Sequence, residues 1–288
     1  MGKEIRYVWV NGNILEDHVP ALPIETKGLM YGAGCFETIR SSHGRFLHFE
    51  RHIDRLKKGM EYLNIRPPES YDLQSIQEAV RLIIAKNQLE NRDALVRIQV
   101  SDSGKRGYRV VSEQNPFFMI TADQAGEYKE GYQLVTVSNR VIPGICRPND
   151  LKLCNCLHYM EAWREARSRN VNDALMLTVD GIVAETSIAN IFWKKGNNIY
   201  TPSEECDILP GIFRGIVIDL LNEMSSYRVN EGRYSPSDVT DADLVWVTNS
   251  VKQIQPVSRC DEKKIPVESQ FYDELWSHLD QYKKVNLN

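Results

Sequence analysis

The chain has 288 residues, 42% of them hydrophobic and 26% charged, with a formal net charge of -4. Those proportions describe an ordinary globular protein, and the length suggests two domains. The acidic balance speaks against nucleic acid as a partner, and short pairs such as Lys57-Lys58 and Lys194-Lys195 read as solvated faces.

No apolar run approaches the about 18 residues of a membrane span. The opening MGKEIRYVWV lacks the basic-then-apolar pattern of a signal peptide. It also has Arg6 where a myristoylation site needs Ser or Thr. A cytoplasmic protein without membrane attachment is expected. The six cysteines (Cys35, Cys146, Cys154, Cys156, Cys206, Cys260) form no C-x-x-C pair and no zinc spacing. They read as small packing residues in a reducing compartment, and no metal is expected.

In chain order, Tyr7–Val10 followed by Asn11-Gly12-Asn13 predicts a hairpin, because Asn-Gly suits the positive φ angles of a tight turn. Ile53, Leu56, Met60 and Leu63 recur on one face and predict a helix over 48–63. A second helix is predicted over 73–89, then strands over 94–100 and 117–121. The second half opens with a strand over 133–138 and a loop to Asp150. A helix over 155–169 follows, with Leu157, Met160 and Trp163 or Ala166 on its inner face. Strands are predicted over 174–179, 182–185, 190–193 and 199–201, with a turn at Asp180-Gly181. An amphipathic helix over 212–224, a strand over 244–248 and a helix over 271–282 complete the chain. The expectation is an N-terminal α/β domain over 1–123, a linker over 124–130 and a C-terminal α/β domain over 131–288.

Three features carry chemistry. Pro210-Gly211 breaks the chain just before a helix, whose free N–H groups form either an ordinary helix start or a phosphate site. Lys152 lies between Leu151 and Leu153, and burial there would turn a commonly solvated lysine into an amine nucleophile. Glu185 sits among apolar and small residues, where a carboxylate needs a positive or hydrogen-bonding partner. A phosphate, a carbonyl that accepts an amine and a protonatable ring nitrogen occur together in pyridoxal phosphate.

The same residues resemble the signature of the class IV pyridoxal-phosphate enzymes of fold type IV. That family includes branched-chain aminotransferases, D-amino-acid aminotransferases and aminodeoxychorismate lyases. The signature runs through Glu185, Asn190-Ile191-Phe192, Thr201 and Leu209-Pro-Gly-Ile-Phe-Arg214 with every spacing satisfied. The resemblance extends to YGAGCFETIR (Tyr31 to Arg40), HIDRL (His52 to Leu56) and VTNSVKQIQPV (Val247 to Val257). It implies a mixed α/β, two-domain fold like that of D-amino-acid aminotransferase, with the cofactor in the interdomain cleft, and a homodimer. It implies that Lys152 is the Schiff-base lysine and proton shuttle, and that Glu185 faces the ring nitrogen. Arg55 would bind the phosphate, with Arg51 as the alternative. The backbone amides of Ile212 and Phe213 and the hydroxyl of Ser250 would complete the phosphate cup. Asn190 would orient its neighbours or serve as a turn residue.

The reaction depends on the substrate pocket. Phe36 stands where similar D-amino-acid aminotransferases carry Tyr. Leu157 stands five residues after Lys152, where branched-chain aminotransferases carry Tyr. GKRGYRV (Gly104 to Val110) resembles the Arg-Gly-Tyr loop of the lyases, and TNSVKQIQPV resembles their version of that strand end. Phe36, Arg106 and Tyr108 are therefore the substrate candidates, and Thr38 is either an aid to proton transfer or a plain strand threonine. The expected reaction is conversion of aminodeoxychorismate to p-aminobenzoate and pyruvate, a step of folate synthesis. The alternative is an aminotransferase acting on D-amino acids or branched-chain L-amino acids with a keto-acid acceptor. A non-catalytic protein that binds the cofactor is the remote reading.

Overall fold

A computed structural model describes residues 5–19, 22, 24–68, 70–109, 116–126 and 131–287. The expected linker lies outside the described residues from 127 to 130, as does Val110 at the end of the GKRGYRV stretch. The chain divides into two compact units. One comprises Met1–Gly126, Leu151–Asn155 and Asn286–Asn288, and the other Glu127–Asp150 and Cys156–Val285.

The first unit contains β1 (Tyr7–Val10), β2 (Asn13–Glu16), α1 (Lys27–Tyr31), β3 (Gly34–Ser42), β4 (Arg45–Phe46), α2 (Phe49–Tyr62), α3 (Leu73–Lys86), β5 (Asp93–Ser101) and β6 (Phe117–Gln124). Its six strands form one sheet in the order β2-β1-β6-β5-β3-β4. The hairpin is where Asn-Gly placed it: Val10 pairs with Asn13, and Asn11 and Gly12 adopt φ of 45° and 89°. Strict alternation in β3 and β5 buries Cys35, Glu37 and Ile39 on one side, with Val96, Ile98 and Val100. Helices α2 and α3 cover that side, inserting Ile53, Leu56, Met60, Ile76, Val80 and Ile83 into the core. The predicted 73–89 helix ends early, at Lys86, because Gln88 turns left-handed at φ 58°; Leu89 is buried beyond the turn.

The second unit contains β7 (Gln133–Arg140), α4 (Leu157–Ser168), β8 (Asp173–Leu177), β9 (Val183–Thr186), β10 (Asn190–Lys195), β11 (Asn198–Pro202), α5 (Ile212–Glu223), β12 (Arg228–Gly232), α6 (Pro236–Thr240), β13 (Leu244–Asn249), β14 (Gln253–Pro256), β15 (Arg259–Cys260), β16 (Lys263–Lys264) and α7 (Gln270–Asn286). Two five-stranded sheets run β12-β11-β10-β13-β14 and β16-β15-β7-β8-β9. Helix α5 lies on β12 and β13, burying Phe213, Ile216, Val217, Leu220 and Leu221. Of the expected inner face of α4, only the Ala166 alternative holds. Leu157, Met160 and Trp163 point outward, while Ala162 and Ala166 pack on β7 and β8. The small side chains let the helix approach the sheet closely, and the periodicity of the larger ones marks the opposite side. The cysteines also divide. Cys35, Cys206 and Cys260 are buried packing residues, whereas Cys146 is exposed.

Candidate active site

In the first unit, residues 151–155 add an extended segment to the start of β3. Phe36 N–H donates to the Lys152 carbonyl at 2.9 Å, Cys154 N–H donates to the Gly34 carbonyl at 2.8 Å, and Cys35 bridges Leu153. Leu151 and Leu153 enter the core, so the backbone is fixed on both sides of Lys152. Lys152 Nζ stands 4.8 Å from the Phe36 ring centroid. The Arg97 guanidinium lies over the same ring at 3.8 Å. Thr38 is the cross-strand partner of Arg97, so Phe36, Thr38 and Arg97 share the side of the sheet turned away from the core.

On the buried side, Glu37 meets two residues of α2. Arg55 donates through Nε at 2.6 Å and through Nη2 at 2.9 Å, and His52 Nδ1 lies 2.7 Å from the same carboxylate. Burial by itself pushes the Glu37 carboxyl up, but the charge and hydrogen bonds of Arg55, with His52, bring it down to about 2. Burial lowers the pKa of His52 and outweighs the nearby carboxylate, so the ring is a neutral hydrogen-bond donor. The cation for Glu37 is therefore Arg55. Arg51, the alternative phosphate residue, is exposed on α2.

A third group holds the loop that follows β5. Lys27, 7% exposed, donates to the Arg109 carbonyl at 2.5 Å and lies 3.7 Å from Asp102. Gly107 N–H donates to the Tyr31 hydroxyl, and the Tyr108 ring packs on Tyr31. Arg106 and Tyr108 themselves stand largely in solvent, Arg106 at 4.0 Å from Glu25.

In the second unit, three donors converge on Glu185 in β9. The Tyr159 hydroxyl donates to Oε1 at 2.6 Å, while Asn190 Nδ2 and Leu209 N–H each donate to Oε2 at 3.2 Å. Asn190 also donates to the Leu209 carbonyl at 2.8 Å. Gly211, the residue before α5, has no room for a side chain, since a Cβ there would collide with Asn190 Oδ1. No side chain caps this helix, so its first N–H groups, those of Ile212 and Phe213 among them, face outward from the start of α5. Asn249 accepts from the N–H groups of Val251 and Lys252 at 2.9 and 2.7 Å, which fixes the turn carrying Ser250. Thr248, opposite Asn190 in the sheet, has a buried hydroxyl without a hydrogen-bond partner.

The family model for class IV aminotransferases matches residues 34–260. The chain belongs to that family, the pyridoxal-phosphate enzymes its motifs resemble. Among its class IV relatives, the aminodeoxychorismate lyase of Bacillus subtilis is 30% identical, covering 88% of this chain and 87% of the relative. A probable branched-chain-amino-acid aminotransferase of Rickettsia bellii is 26% identical over the same shares. Among solved structures, the T.th. branched-chain amino acid aminotransferase complexed with N-(5'-phosphopyridoxyl)-L-glutamate superposes with a TM-score of 0.87. It is 22% identical, with 99% of this chain and 98% of that one covered. The class IV fold is therefore the fold of this chain.

Two signature residues of class IV are structural here. Thr201 donates to the Ile191 carbonyl at 2.8 Å, and Arg214 ties the Pro202 carbonyl, at 2.8 Å, to Glu231 at 2.5 Å. Four residues that the site uses escaped the reading of the sequence: Glu37, Arg97, Tyr159 and Lys27. Glu37 and Arg97 had a signal, because each is a charged residue within an alternating apolar strand. Tyr159 and Lys27 had none, since their partners lie 26 and 82 residues away.

Proposed function

We propose that the chain is a pyridoxal-phosphate-dependent aminodeoxychorismate lyase, releasing pyruvate and p-aminobenzoate. The observation that carries this reading is the 30% identity, over 88% of the chain, with the Bacillus subtilis lyase. The loop Lys105-Arg106-Gly107-Tyr108, anchored on α1 through Lys27 and Tyr31, agrees with it. The second reading is an aminotransferase, favoured by the similarity to the Rickettsia bellii protein and by the guanidinium of Arg97 on the Phe36 ring that Lys152 also meets, suited to a substrate carboxylate.

The donor set of the chain fits the cofactor. Lys152 supplies an amine on a rigid segment, Glu185 an acceptor held by three donors, and α5 an uncapped N-terminus preceded by a glycine whose Cβ would collide with Asn190 Oδ1. The cofactor, when bound, supplies an electron sink for the pair left when a bond to the substrate carbon next to nitrogen breaks. Lys152 would hold the aldehyde group through Nζ and, once released, would take up and return a proton at Nζ. Glu185 would keep the proton on the ring nitrogen. Arg55, braced by Glu37, would bind the phosphate together with the N–H groups of Ile212 and Phe213 and the Ser250 hydroxyl. Asn190 orients Glu185 and the Leu209 backbone. Thr38 would assist proton transfer, and Phe36, Arg97, Arg106 and Tyr108 would meet the substrate. The working form would be a homodimer.

The test is pyruvate release from enzymatically generated aminodeoxychorismate, with cofactor and without any keto acid. Multiple turnover is expected. Absence of release, with amino transfer to a keto acid instead, would replace the lyase by the second reading.

A further inference from the structure

Glu185 is held by more than the family signature provides. The signature accounts for the two donors on Oε2, Asn190 and the Leu209 N–H. A shorter contact than either falls on the other oxygen and comes from α4, outside the signature: the Tyr159 hydroxyl at 2.6 Å from Oε1. An O–H···O bond of that length to a carboxylate is charge-assisted and about twice as strong as a neutral one.

Tyr159 is well placed to remain a donor. Burial, with the neighbouring Glu185 carboxylate, pushes its hydroxyl well above the ordinary phenol range. Its ring is fixed at the N-terminal end of α4, 3.9 Å from the His158 ring centroid. An ionised carboxylate only accepts hydrogen bonds, whereas a carboxylic acid must also donate one. A phenol donating to Oε1 therefore favours the form in which Glu185 carries no proton.

We propose that Tyr159 is a positioning residue acting through Glu185, setting the carboxylate's orientation and keeping the shared proton on the cofactor's ring nitrogen. This rests on the reading of Glu185 as the partner of that nitrogen. Without the phenol, the proton shifts from the ring nitrogen toward Glu185, and the ring becomes a weaker electron sink.

The experiment is 15N NMR of holoenzyme reconstituted with pyridoxal phosphate labelled at the ring nitrogen. Tyr159→Phe keeps the ring and removes the hydroxyl; its resonance should move from the protonated toward the unprotonated position. A 3-fluorotyrosine placed at 159 keeps the shape with a stronger donor, and should move the resonance the opposite way. It decides the matter if the Phe variant fails to load. A purely structural tie between α4 and β9 would change the melting temperature and leave the resonance in place. Glu185→Gln separates the two levels of the argument. If it shifts the resonance and neither Tyr159 variant does, the inference falls and the active-site reading stands. If Glu185→Gln also leaves the resonance unmoved, Glu185 does not face the ring and both fall.

Discussion

A glutamate in the middle of β3 shows how a single charge is made tolerable in a core. Glu37 has no exposed surface, and removing the charge of one member of such a pair costs roughly 3–5 kcal/mol. Glu37→Gln should therefore lower stability by about that amount at pH 7. The sign of the pH dependence follows from the carboxyl's position. Its pKa lies at about 2 in the folded chain against an ordinary 4.5, so the stabilisation is complete above the ordinary value. It is lost as the pH falls toward the folded value. Urea titrations should then show the gap between Glu37→Gln and the parent closing as the pH drops through that window. A gap that stays constant with pH would mean that Arg55 and His52 do not stabilise the ionised form. The charge of Glu37 was visible in the sequence, but its purpose depended on α2 folding back to place His52 and Arg55 against it.

At the scale of an element, the start of α5 depends on a glycine. A methyl group at position 211 meets Asn190 Oδ1 far inside contact distance. Asn190 is the side chain that joins Glu185 to the backbone of Leu209. Gly211→Ala should displace that bridge, costing about 1–3 kcal/mol as an overpacked site. Cofactor uptake should weaken with it. Melting of the apoprotein and a fluorescence titration with pyridoxal phosphate measure the two effects; parental values in both would remove Gly211 from this role. The helix itself was legible because Pro210-Gly211 and the Ile216, Val217, Leu220, Leu221 face are local signals. The orientation of α4 was not. Its large apolar residues define one face and its alanines the other, and only the sheet beneath decides which is inside.

For the whole molecule, the cofactor should act as a stabiliser. A ligand that binds only the folded chain adds about 2.7 kcal/mol at a hundredfold excess over Kd. Pyridoxal phosphate should accordingly raise the melting temperature by several degrees. Lys152→Ala should lose turnover by more than about 10²-fold and show a much smaller thermal shift. A full shift with full activity would exclude Lys152 as the anchoring amine. The two α/β units were readable at this scale because strand alternation and helix spacing are written within short windows. The attachment of residues 151–155 to the first unit was not, since it rests on a few backbone hydrogen bonds to β3.

The cysteine distribution matters for handling the protein. Cys35, Cys206 and Cys260 are shielded inside, while Cys146 sits in the open beside Ile145, which is 97% exposed. Thiol reagents will reach that sulfur first, so a maleimide dye or a gold surface can be attached there while the buried thiols stay intact. The same sulfur is where air will first stitch one chain to another in a stored stock, and a serine at 146 removes that site, leaving the half-buried Cys154 and Cys156 as the next thiols in reach.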